Sequence, residues 1–488
     1  MENGEQPLLS PSKDEYHNSQ IHDHVGSSTG IQYFFREFCV ESKKLWYLAA
    51  PAIFTSICQY SLGAITQVFA GQLGTTELAM VSVENSIIAG FCYGIMWGMG
   101  SALETLCGIA FGAGHLEMLG IYMQRSWIIL NVTALLLMFL YIFATPVLKI
   151  IGETDEISEE AGLFSLWMIP QLFAYAMNYP LTKFLQAQSK FMAMAVISAV
   201  TIVLHTVFSW LLMLKLGWGM VGAAVVLNLS WWFIVLAELV YIFSGACGRA
   251  WTGFSWMAFQ NLWGFLKLSL ASALMLALEI WYMMALALFA GYFMDAEVSV
   301  DASSICTNIL GWTIMAGFGL NAAVSVRVSN ELGAAQPRAA KFSAVVVGAT
   351  SSLIGLFLAL VLTVSGKQYP SLFSTDSQVK DLVYELTPLL GLAILVYNLQ
   401  FALAGWQSYV AYVNLGCYYL VGIPSCLLMA FKFNMGIQGI WWGILVGSVL
   451  EASIISWIMY KTDWNKEASI AGDKLQQWGE KTFNDTEF

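Results

Sequence analysis

Charged residues are scarce in this sequence. Asp, Glu, Lys and Arg make up 11% of its 488 residues, whereas soluble domains contain about 25%. Hydrophobic residues make up 58%, and the mean hydropathy is +0.67. The apolar runs are continuous and lack the alternation, over about ten residues, that a membrane β-barrel needs. The composition therefore excludes an ordinary soluble protein and predicts an all-α polytopic membrane protein.

The sequence also lacks the motifs of catalysis and metal binding. Its eight cysteines form no CxxC pair, its five histidines form no ligand cluster, and it has no GxxxxGK[ST] loop for ATP. We therefore expect no disulfide framework, no metal site, no bound cofactor and no enzyme, and no nucleic-acid partner. Uphill transport by such a protein would draw on an ion gradient.

Twelve apolar stretches are long enough to cross a bilayer, which takes about twenty helical residues. They lie at 45–72, 78–103, 121–148, 161–183, 191–214, 218–244, 263–291, 300–323, 341–365, 382–405, 407–431 and 436–460. They predict an N-terminal tail at 1–44, six helices at 45–250, six more at 251–464 and a C-terminal tail at 465–488. Residues 31–44 mix aromatic and charged side chains, which predicts either an amphipathic segment at the membrane surface or a plain linker.

Lys and Arg are concentrated on one side of the predicted bundle. With the N-terminus inside, sixteen of the 21 lie in the tails and the even-numbered connections, and five lie in the other connections. Membrane proteins carry their excess of positive residues on the cytosolic side. The distribution therefore predicts that both termini are cytosolic.

The two halves of the sequence repeat. Residues 68–71 match 288–291 at an offset of 220, residues 98–100 match 317–319 at an offset of 219, and Asn178 matches Asn398 at an offset of 220. Six helices return the chain to its starting side, so both halves have the same orientation. Parallel repeats of this kind are one plan of secondary transporters. The repeat favours a transporter over a receptor or a membrane enzyme.

One acid, Glu279, lies inside an otherwise uncharged span at 268–291. An ionised carboxylate at the bilayer midplane costs about 2.5–3.5 kcal/mol even on forgiving scales, so it normally lies within a bundle or beside a wet cavity. In a helix, Ser272, Leu276 and Tyr282 would share its face. We predict that Glu279 exchanges protons; the alternative is a structural hydrogen bond between helices.

Four further residues within spans are candidates for contacts with a solute. Asn308 lies mid-span in the predicted eighth helix, directly after the helix of Glu279. Tyr282, Trp312 and Phe318 offer stacking surfaces for flat ring systems. Packing against lipid is the alternative for each aromatic residue.

Three other acids lie within or near the ends of spans. Glu84 and its neighbour Asn85, early in the second span, could line a cavity, but an interhelical hydrogen bond is the favoured role for each. Glu238 and Glu451 lie toward the ends of the sixth and twelfth spans. We expect both of these acids to reach an interface.

Three sequence motifs carry a family resemblance. Residues 100–108, 278–282 and 325–333 read GSALETLCG, LEIWY and SVRVSNELG. They closely resemble the multidrug and toxic compound extrusion (MATE) family, more narrowly its plant DETOXIFICATION proteins, over about residues 31–464. The resemblance implies twelve helices in two pseudo-symmetric six-helix lobes around a cleft. It also implies a proton carrier at Glu279 and structural roles for the motif residues Glu104, Arg327 and Glu331.

The same resemblance implies a function. The expected activity is proton-coupled antiport of small organic solutes (flavonoids, other secondary metabolites or xenobiotics) out of the cytosol. The expected protein is a monomer in the lipid bilayer of the vacuole, with the plasma membrane as the alternative. An anion channel or uniporter without obligatory proton coupling is the second hypothesis. The spans contain no dense ring of Lys or Arg to line an anion pore, so we rank it lower.

The sequence departs from the family pattern at three places. Asn398 stands where many plant members have Asp, so a two-carboxylate proton site is absent in that form, although Asn398 could bond Glu279 or the solute. Ile109 replaces the usual Gln. Gly405 directly precedes Trp406, where the family usually has a longer glycine-rich run. We expect a shortened or distorted tenth helix, with impaired transport or harmless loop trimming as the two alternatives.

Overall fold

The computed structural model describes residues 27–290, 296–366, 368–373, 376–403 and 412–483. Throughout these ranges the regular structure is helical, and it consists of twelve long helices followed by a thirteenth. By length and composition, ten helices of this described part could cross a membrane. The remaining two long helices, α4 and α7 below, complete two sets of six. The predicted twelve-helix fold is therefore confirmed.

The first half contains α1 to α6. Their bounds are Ser27–Leu73 for α1, Thr75–Gly112 for α2, Leu116–Ile142 for α3, Asp155–Ala187 for α4, Phe191–Lys215 for α5 and Gly219–Ala246 for α6. Within α2, α-helical segments at Thr75–Val83 and Gly90–Gly112 are joined by a π-helical turn at Glu84–Ala89. A short helix, Ala144–Ile151, connects α3 to α4.

The second half contains α7 to α12. Their bounds are Leu262–Ala290 for α7, Ala296–Gly333 for α8, Pro337–Ser365 for α9, Ser377–Leu403 for α10, Tyr412–Lys432 for α11 and Gly436–Lys461 for α12. A polar helix, α13, follows at Trp464–Phe483.

The helices at both ends of the chain extend beyond the predicted spans. The first span was expected to begin at residue 45, yet α1 begins at Ser27 and continues past Pro51 without a break. The plain linker predicted as one alternative at 31–44 is therefore wrong, whereas the amphipathic segment at the membrane surface stays a prediction. Leu45 and Leu48 of α1 are buried in the same cluster as Leu320 of α8, so apolar packing against the second half holds this polar stretch in a helix.

The two halves repeat in their packing as well as in their sequence. In the first half α2 packs on α3 and α4, and α6 packs on α4 and α5; in the second half α8 packs on α9 and α10, and α12 packs on α10 and α11. The halves meet where α1 contacts α8, where α2 contacts α7 and where α2 contacts α8. Each half has its own buried core, and a third apolar cluster joins α1 to α8 and α9.

Glycines allow close helix crossings between the halves. A Cβ at Gly98 of α2 would lie 2.6 Å from the Cα of Ala273 on α7, and one at Gly319 of α8 would lie 2.5 Å from the Cα of Ile53 on α1. These two crossings are reciprocal: α2 of the first half contacts α7, the first helix of the second half, and α8 of the second half contacts α1, the first helix of the first half. The contacts pair Gly98 with Gly319, an offset of 221, and so correct the offset of 219 predicted for these helices.

A second reciprocal crossing lies at the ends of α2 and α8. A Cβ at Gly112 would clash with the carbonyl oxygen of Asn330, and a Cβ at Gly333 would clash with the carbonyl oxygen of Ile109. We call these two contacts the glycine seam. Here the backbones of the two halves touch, and no side chain separates them.

The two ends of the bundle differ in how their charges are held. We call the end where α1 begins and α12 ends the termini face; Leu45, Val326 and Trp464 share one buried cluster there. At the opposite end, the Lys149 ammonium lies 2.9 Å from Glu159 and 3.0 Å from Asp155. These ion pairs raise the pKa of Lys149 above its ordinary value, although solvent exposure keeps their contribution to stability small.

The tenth helix is not shortened in its described part. α10 has 27 residues, which at about 1.5 Å per residue reach about 40 Å and cross a bilayer easily. The junction of Gly405 and Trp406 lies outside the described residues. The shortening or distortion predicted for the tenth helix at this junction therefore stays a prediction. The described part of α11 contains π-helical stretches at Leu415–Gly422 and Leu428–Lys432.

Candidate functional site

A cavity of about 420 Å³ lies between the two halves. Its walls come mainly from α1, α2, α4 and α6 of the first half and from α8 of the second. Aromatic and amide side chains dominate the lining, which includes Gln59, Tyr60, Asn85, Tyr93, Trp97, Tyr175, Asn178, Tyr179, Lys183, Trp231, Asn308, Trp312 and Phe318. We call this space the central cavity.

Three tyrosines and a tryptophan form the first-half wall of the central cavity. The ring of Tyr93 meets Tyr175 edge-on at 5.4 Å and Tyr179 at 5.6 Å, and Tyr175 meets Trp231 at 4.7 Å. Edge-to-face contacts at these separations are favourable and hold each ring in place. The wall is therefore a fixed aromatic surface rather than a set of loose side chains.

The second-half wall is built by α8, which carries three residues singled out in the sequence. Trp312 is 40% exposed and meets the ring of Tyr60 edge-on at 5.2 Å. Phe318 lies between Trp97 at 4.4 Å and Phe401 at 4.6 Å. Asn308 donates to the carbonyl of Ser304, one turn earlier, at 3.1 Å. All three of these α8 side chains line the central cavity.

The only charged residue that lines the central cavity, among the residues described, is Lys183 of α4. Its ammonium lies 2.8 Å from the carboxylate of Glu104 on α2, and both side chains are more than 90% buried. The motif residue Glu104 does not itself line the cavity, and its carboxylate neutralises the charge of Lys183. The cavity therefore presents hydroxyl, amide and aromatic groups without a free cation.

Breaking this pair should destabilise the first half. Glu104→Gln leaves a buried ammonium without its counter-charge, and removing one member of a buried ion pair costs about 3–5 kcal/mol. We expect a corresponding loss of unfolding free energy in thermal or denaturant unfolding of the purified protein. Adding Lys183→Met to Glu104→Gln should restore most of the loss. Equal losses in the single and double variants would contradict the pairing.

Glu279 lies near the middle of α7, but its side chain is outside the part of the chain that the structure describes. The backbone beside it is described. The hydroxyl of Tyr419 on α11 donates to the carbonyl of Leu278 at 2.8 Å. This stretch of α7 therefore packs within the second half, about one turn beyond the crossing of α2 and α7 at Ala273.

Tyr282 occupies the core of the second half. It is fully buried, and its ring stacks on Tyr418 of α11 at 4.4 Å with an interplanar angle of 9°. A Cβ at Gly422 would lie 2.7 Å from its hydroxyl oxygen. Tyr282 does not line the central cavity, so its described contacts are with α11 rather than with a space for a solute.

Asn398 is fully buried on α10. Its amide nitrogen donates to the carbonyl of Ile394 at 2.8 Å, and its amide oxygen lies 3.4 Å from where a Cβ of Gly317 on α8 would be. Its repeat partner, Asn178 on α4, is also buried and lines the central cavity. The predicted bond from Asn398 to Glu279 falls on a side chain outside the described residues.

The motif residues Arg327 and Glu331 form an ion cluster at the termini face. The Nε of Arg327 donates to Oε1 of Glu41 at 2.9 Å, its Nη2 donates to Oε2 of Glu41 at 3.3 Å, and its Nη1 pairs with Glu331. The hydroxyl of Ser343 on α9 also donates to Glu41. We call these four residues the Arg327 clamp, which ties the start of α1 to α8 and α9.

A second cavity, of about 520 Å³, lies at the termini face. Helices from both halves line it, and α13 contributes Glu467, Ile470, Ala471 and Lys474. The residues predicted as a C-terminal tail thus form a helix that borders a space between the halves. Trp464, at the start of α13, is 4% exposed and anchors it.

Two acids expected at an interface are inside the bundle. Glu238 on α6 and Glu451 on α12 are each 1% exposed. That expectation is therefore wrong, because proximity to a span end does not decide which face of the helix a residue occupies. Among the residues described, no group of three or more His, Cys, Asp or Glu could hold a metal ion.

The sequence alone did not reveal the first-half wall. Tyr93, Tyr175, Tyr179 and Trp231 lie on three helices, and in the sequence each is indistinguishable from an aromatic residue that faces lipid. The polar residues Gln59, Gln67 and Asn85 within the spans were the signal for a cavity on this side, and all three line it. Amides inside apolar spans require hydrogen-bonding partners or water, so they indicate the helix faces that meet at a cavity.

Comparisons with known proteins agree with this architecture. The model of the MatE family matches residues 51–211 and 271–428. The chain is 61% identical over 463 residues to Protein DETOXIFICATION 29 of Arabidopsis thaliana, an alignment that covers 94% of this chain and 93% of that protein. It is 60% identical over 457 residues to Protein DETOXIFICATION 31 of the same plant, covering 92% of this chain and 88% of that protein.

Solved structures share the fold. The crystal structure of the eukaryotic MATE transporter AtDTX14 matches with a TM-score of 0.86 at 32% sequence identity and covers 90% of this chain and 99% of that one. The Vibrio cholerae MATE transporter VcmN in the bent form matches with a TM-score of 0.71 at 20% identity and covers 90% and 99%. The second likeness concerns the fold alone.

Proposed function

The chain belongs to the MatE family, whose solved relatives are transporters, and from that premise we propose that it exchanges protons for organic solutes. The observation that supports the proposal most strongly is the central cavity. It lies between two repeated halves, has aromatic walls on both sides and contains a neutralised lysine. Such a site suits flat, largely neutral ring systems, whose faces stack on aromatic side chains and whose hydroxyls bond to amides.

The geometry favours flavonoids, other secondary metabolites or xenobiotics as solutes. Rings of Trp312 and Phe318 face the cavity from α8, and those of Tyr175 and Tyr179 face it from α4. The side-chain amides of Asn178 and Asn308 provide polar contacts between these walls. A ring system could therefore stack on either half and be released when the halves move apart.

The proton carrier of this proposal is Glu279. It is the one acid in the central part of α7, and α7 contacts α2 across the two halves through the crossing of Gly98 with Ala273. Protonation would change the hydrogen bonds of the carboxylate within the second half. Because α7 crosses α2 closely, a shift of α7 would reach the wall of the central cavity.

The charge distribution indicates how the protein is oriented in the membrane, and the proton gradient then sets the direction of transport. Sixteen of the 21 Lys and Arg residues lie in the tails and the even-numbered connections, which favours a cytosolic termini face. Solutes would leave the cytosol and protons would enter it. An acidic vacuole would supply the gradient, the plasma membrane is the alternative location, and a monomer contains both halves of the cavity.

Reconstituted vesicles would test the proposal. With the interior acidic, a labelled flavonoid glycoside should accumulate in vesicles that contain the full chain, and a protonophore should abolish the accumulation. Empty vesicles are the control. An anion current that persists without any proton gradient, together with no accumulation of the glycoside, would overturn the proposal in favour of a channel or uniporter.

Shortening an aromatic wall residue should weaken solute binding. Trp312→Ala removes one stacking surface, and such contacts contribute about 0.5–1.5 kcal/mol. We expect KM for the glycoside to rise about two- to tenfold with a smaller change in kcat. Trp457→Ala, which removes a 61% exposed side chain from α12, is the matched control. Equal effects of the two variants would contradict the assignment of the cavity.

A further inference from the structure

Glu84 is a buried acid for which the proposed transport cycle has no role. It lies on the π-helical turn of α2, its side chain is 0% exposed, and neither carboxylate oxygen has a hydrogen-bond partner within the part of the chain described. No Lys, Arg or His of the described residues pairs with it. A carboxylate buried without a partner is too costly to remain ionised, so the neutral acid is the form that fits this environment.

Three titratable groups lie within electrostatic reach of Glu84. They are Cys92 on α2, Tyr141 on α3 and Tyr175 on α4. None of these groups carries a positive charge. The hydroxyl of Tyr141 is buried without a partner, and the hydroxyl of Tyr175 accepts from Gln171 at 2.7 Å and so retains its own proton to donate.

The π-helical turn that carries Glu84 borders the central cavity. Asn85, the next residue, lines the cavity, and so do Ser86 and Ala89 of the same turn. Glu84 therefore lies one residue away from the cavity lining along the chain, with its side chain buried inside the first half.

The π-helical turn makes this part of α2 adjustable. Such turns contain one residue more than an α-helical turn, strain the backbone hydrogen bonding and often occur at functional sites. The same helix crosses α7 at Gly98 and meets α8 at the glycine seam. A change of shape at the turn would therefore be transmitted along α2 to both contacts with the second half.

We propose that Glu84 is a second proton-carrying residue, located in the first half, which exchanges a proton with the central cavity when the π-helical turn rearranges. This inference rests on the proposed function. The step moves one proton from a hydronium ion in the cavity to a carboxylate oxygen of Glu84 and leaves a water molecule, and the reverse step regenerates the hydronium ion. Together with Glu279, the protein then carries one acid in each half.

Infrared titration of the full chain in lipid vesicles provides the direct test. A buried protonated carboxyl gives a carbonyl stretch, shifted by deuteration, that is separate from the bands of exposed carboxylates. Glu84→Gln, which preserves size and polarity, should remove one such band. Glu77→Gln, an acid in the first turn of the same helix that is not fully buried, is the matched control and should leave the band in place.

A transport measurement complements the spectrum. The ratio of protons to glycoside moved should fall in Glu84→Gln while transport continues, and Glu84→Leu, which preserves volume without polarity, should give the same ratio. Persistence of the band in Glu84→Gln would overturn the proposal, and so would loss of the band with an unchanged ratio. Failure of the proposed function itself would be distinguishable, because the unmodified chain would then show no glycoside uptake driven by a proton gradient, whatever the Glu84 band does.

Discussion

Adding one methyl group at Gly333 should separate the two halves at the termini face. The new Cβ would clash with the carbonyl oxygen of Ile109, a backbone atom that cannot rotate away. Overpacking of this kind costs about 1–3 kcal/mol. That cost would lower the ratio of molecules whose halves touch at the glycine seam to molecules whose halves are separated there by about 5- to 150-fold. Gly112→Ala should do the same, since its Cβ would clash with the carbonyl of Asn330.

Spin-label distances across the termini face would measure this shift. Cys39 is the one exposed cysteine, and the other seven are buried, so Cys39→Ser provides a background for labels on α2 and α8. The distance distribution should broaden toward longer values in Gly112→Ala and Gly333→Ala. Gly416→Ala is the matched control, because nothing lies within 4 Å of its Cβ position. Unchanged distances in both seam variants would show that the glycine seam does not hold the halves together.

Removing the charge of Arg327 should have a comparably large effect on stability. Arg327→Gln leaves two acids, Glu41 and Glu331, close together without their shared cation, in a cluster whose three side chains are 6–11% exposed. Breaking a buried ion pair costs about 3–5 kcal/mol. Arg327→Lys should recover only part of this loss, because an ammonium cannot make the forked contact with Glu41.

Two further variants separate the buried clamp from ordinary surface charge. Combining Arg327→Gln with Glu41→Gln and Glu331→Gln removes the two acids that have lost Arg327, so it should be more stable than Arg327→Gln alone. Lys149→Gln breaks two ion pairs whose side chains are 36–87% exposed, and it should cost far less than Arg327→Gln because solvent screens exposed charges. Similar losses in Lys149→Gln and Arg327→Gln would contradict the importance assigned to burial.

The helices could be predicted well, and their ends could not. The apolar runs determine where the chain crosses a membrane, because about twenty consecutive apolar residues have few other stable environments. The helical stretch at 27–44 and α13 are polar, and they are helical because Leu45, Leu48 and Trp464 pack against the second half. Contacts with residues far away in the sequence leave no periodic pattern of apolar residues from which these helices could be predicted.

The candidate site could be predicted only in part. Asn308, Trp312 and Phe318 lie on one helix, and the spacing of polar and aromatic residues along that helix pointed to them. The opposite wall depends on how α2, α4 and α6 rotate against each other, which single-helix patterns do not contain. Glu84 was visible in the sequence as an acid within a span, yet its lack of a partner is a property of its surroundings.

The repeat also shows what sequence comparison misses. Matching glycines by identity gives an offset of 219 between α2 and α8, which pairs Gly98 with Gly317 and Gly100 with Gly319. The reciprocal crossings select 221 instead, since Gly98 and Gly319 contact equivalent helices. Physical contacts therefore correct the register that local identity suggests.

Proton movement driven by solute alone would test the central claim most directly. Vesicles with equal pH on both sides and a clamped membrane potential would receive a flavonoid glycoside on one side, with a pH-sensitive dye inside. We expect an opposite flow of protons in vesicles with the unmodified chain, and none with Glu279→Gln, although that variant should fold and retain its unfolding temperature. Solute flux without proton flux in the unmodified chain, or equal proton flux in Glu279→Gln, would contradict it.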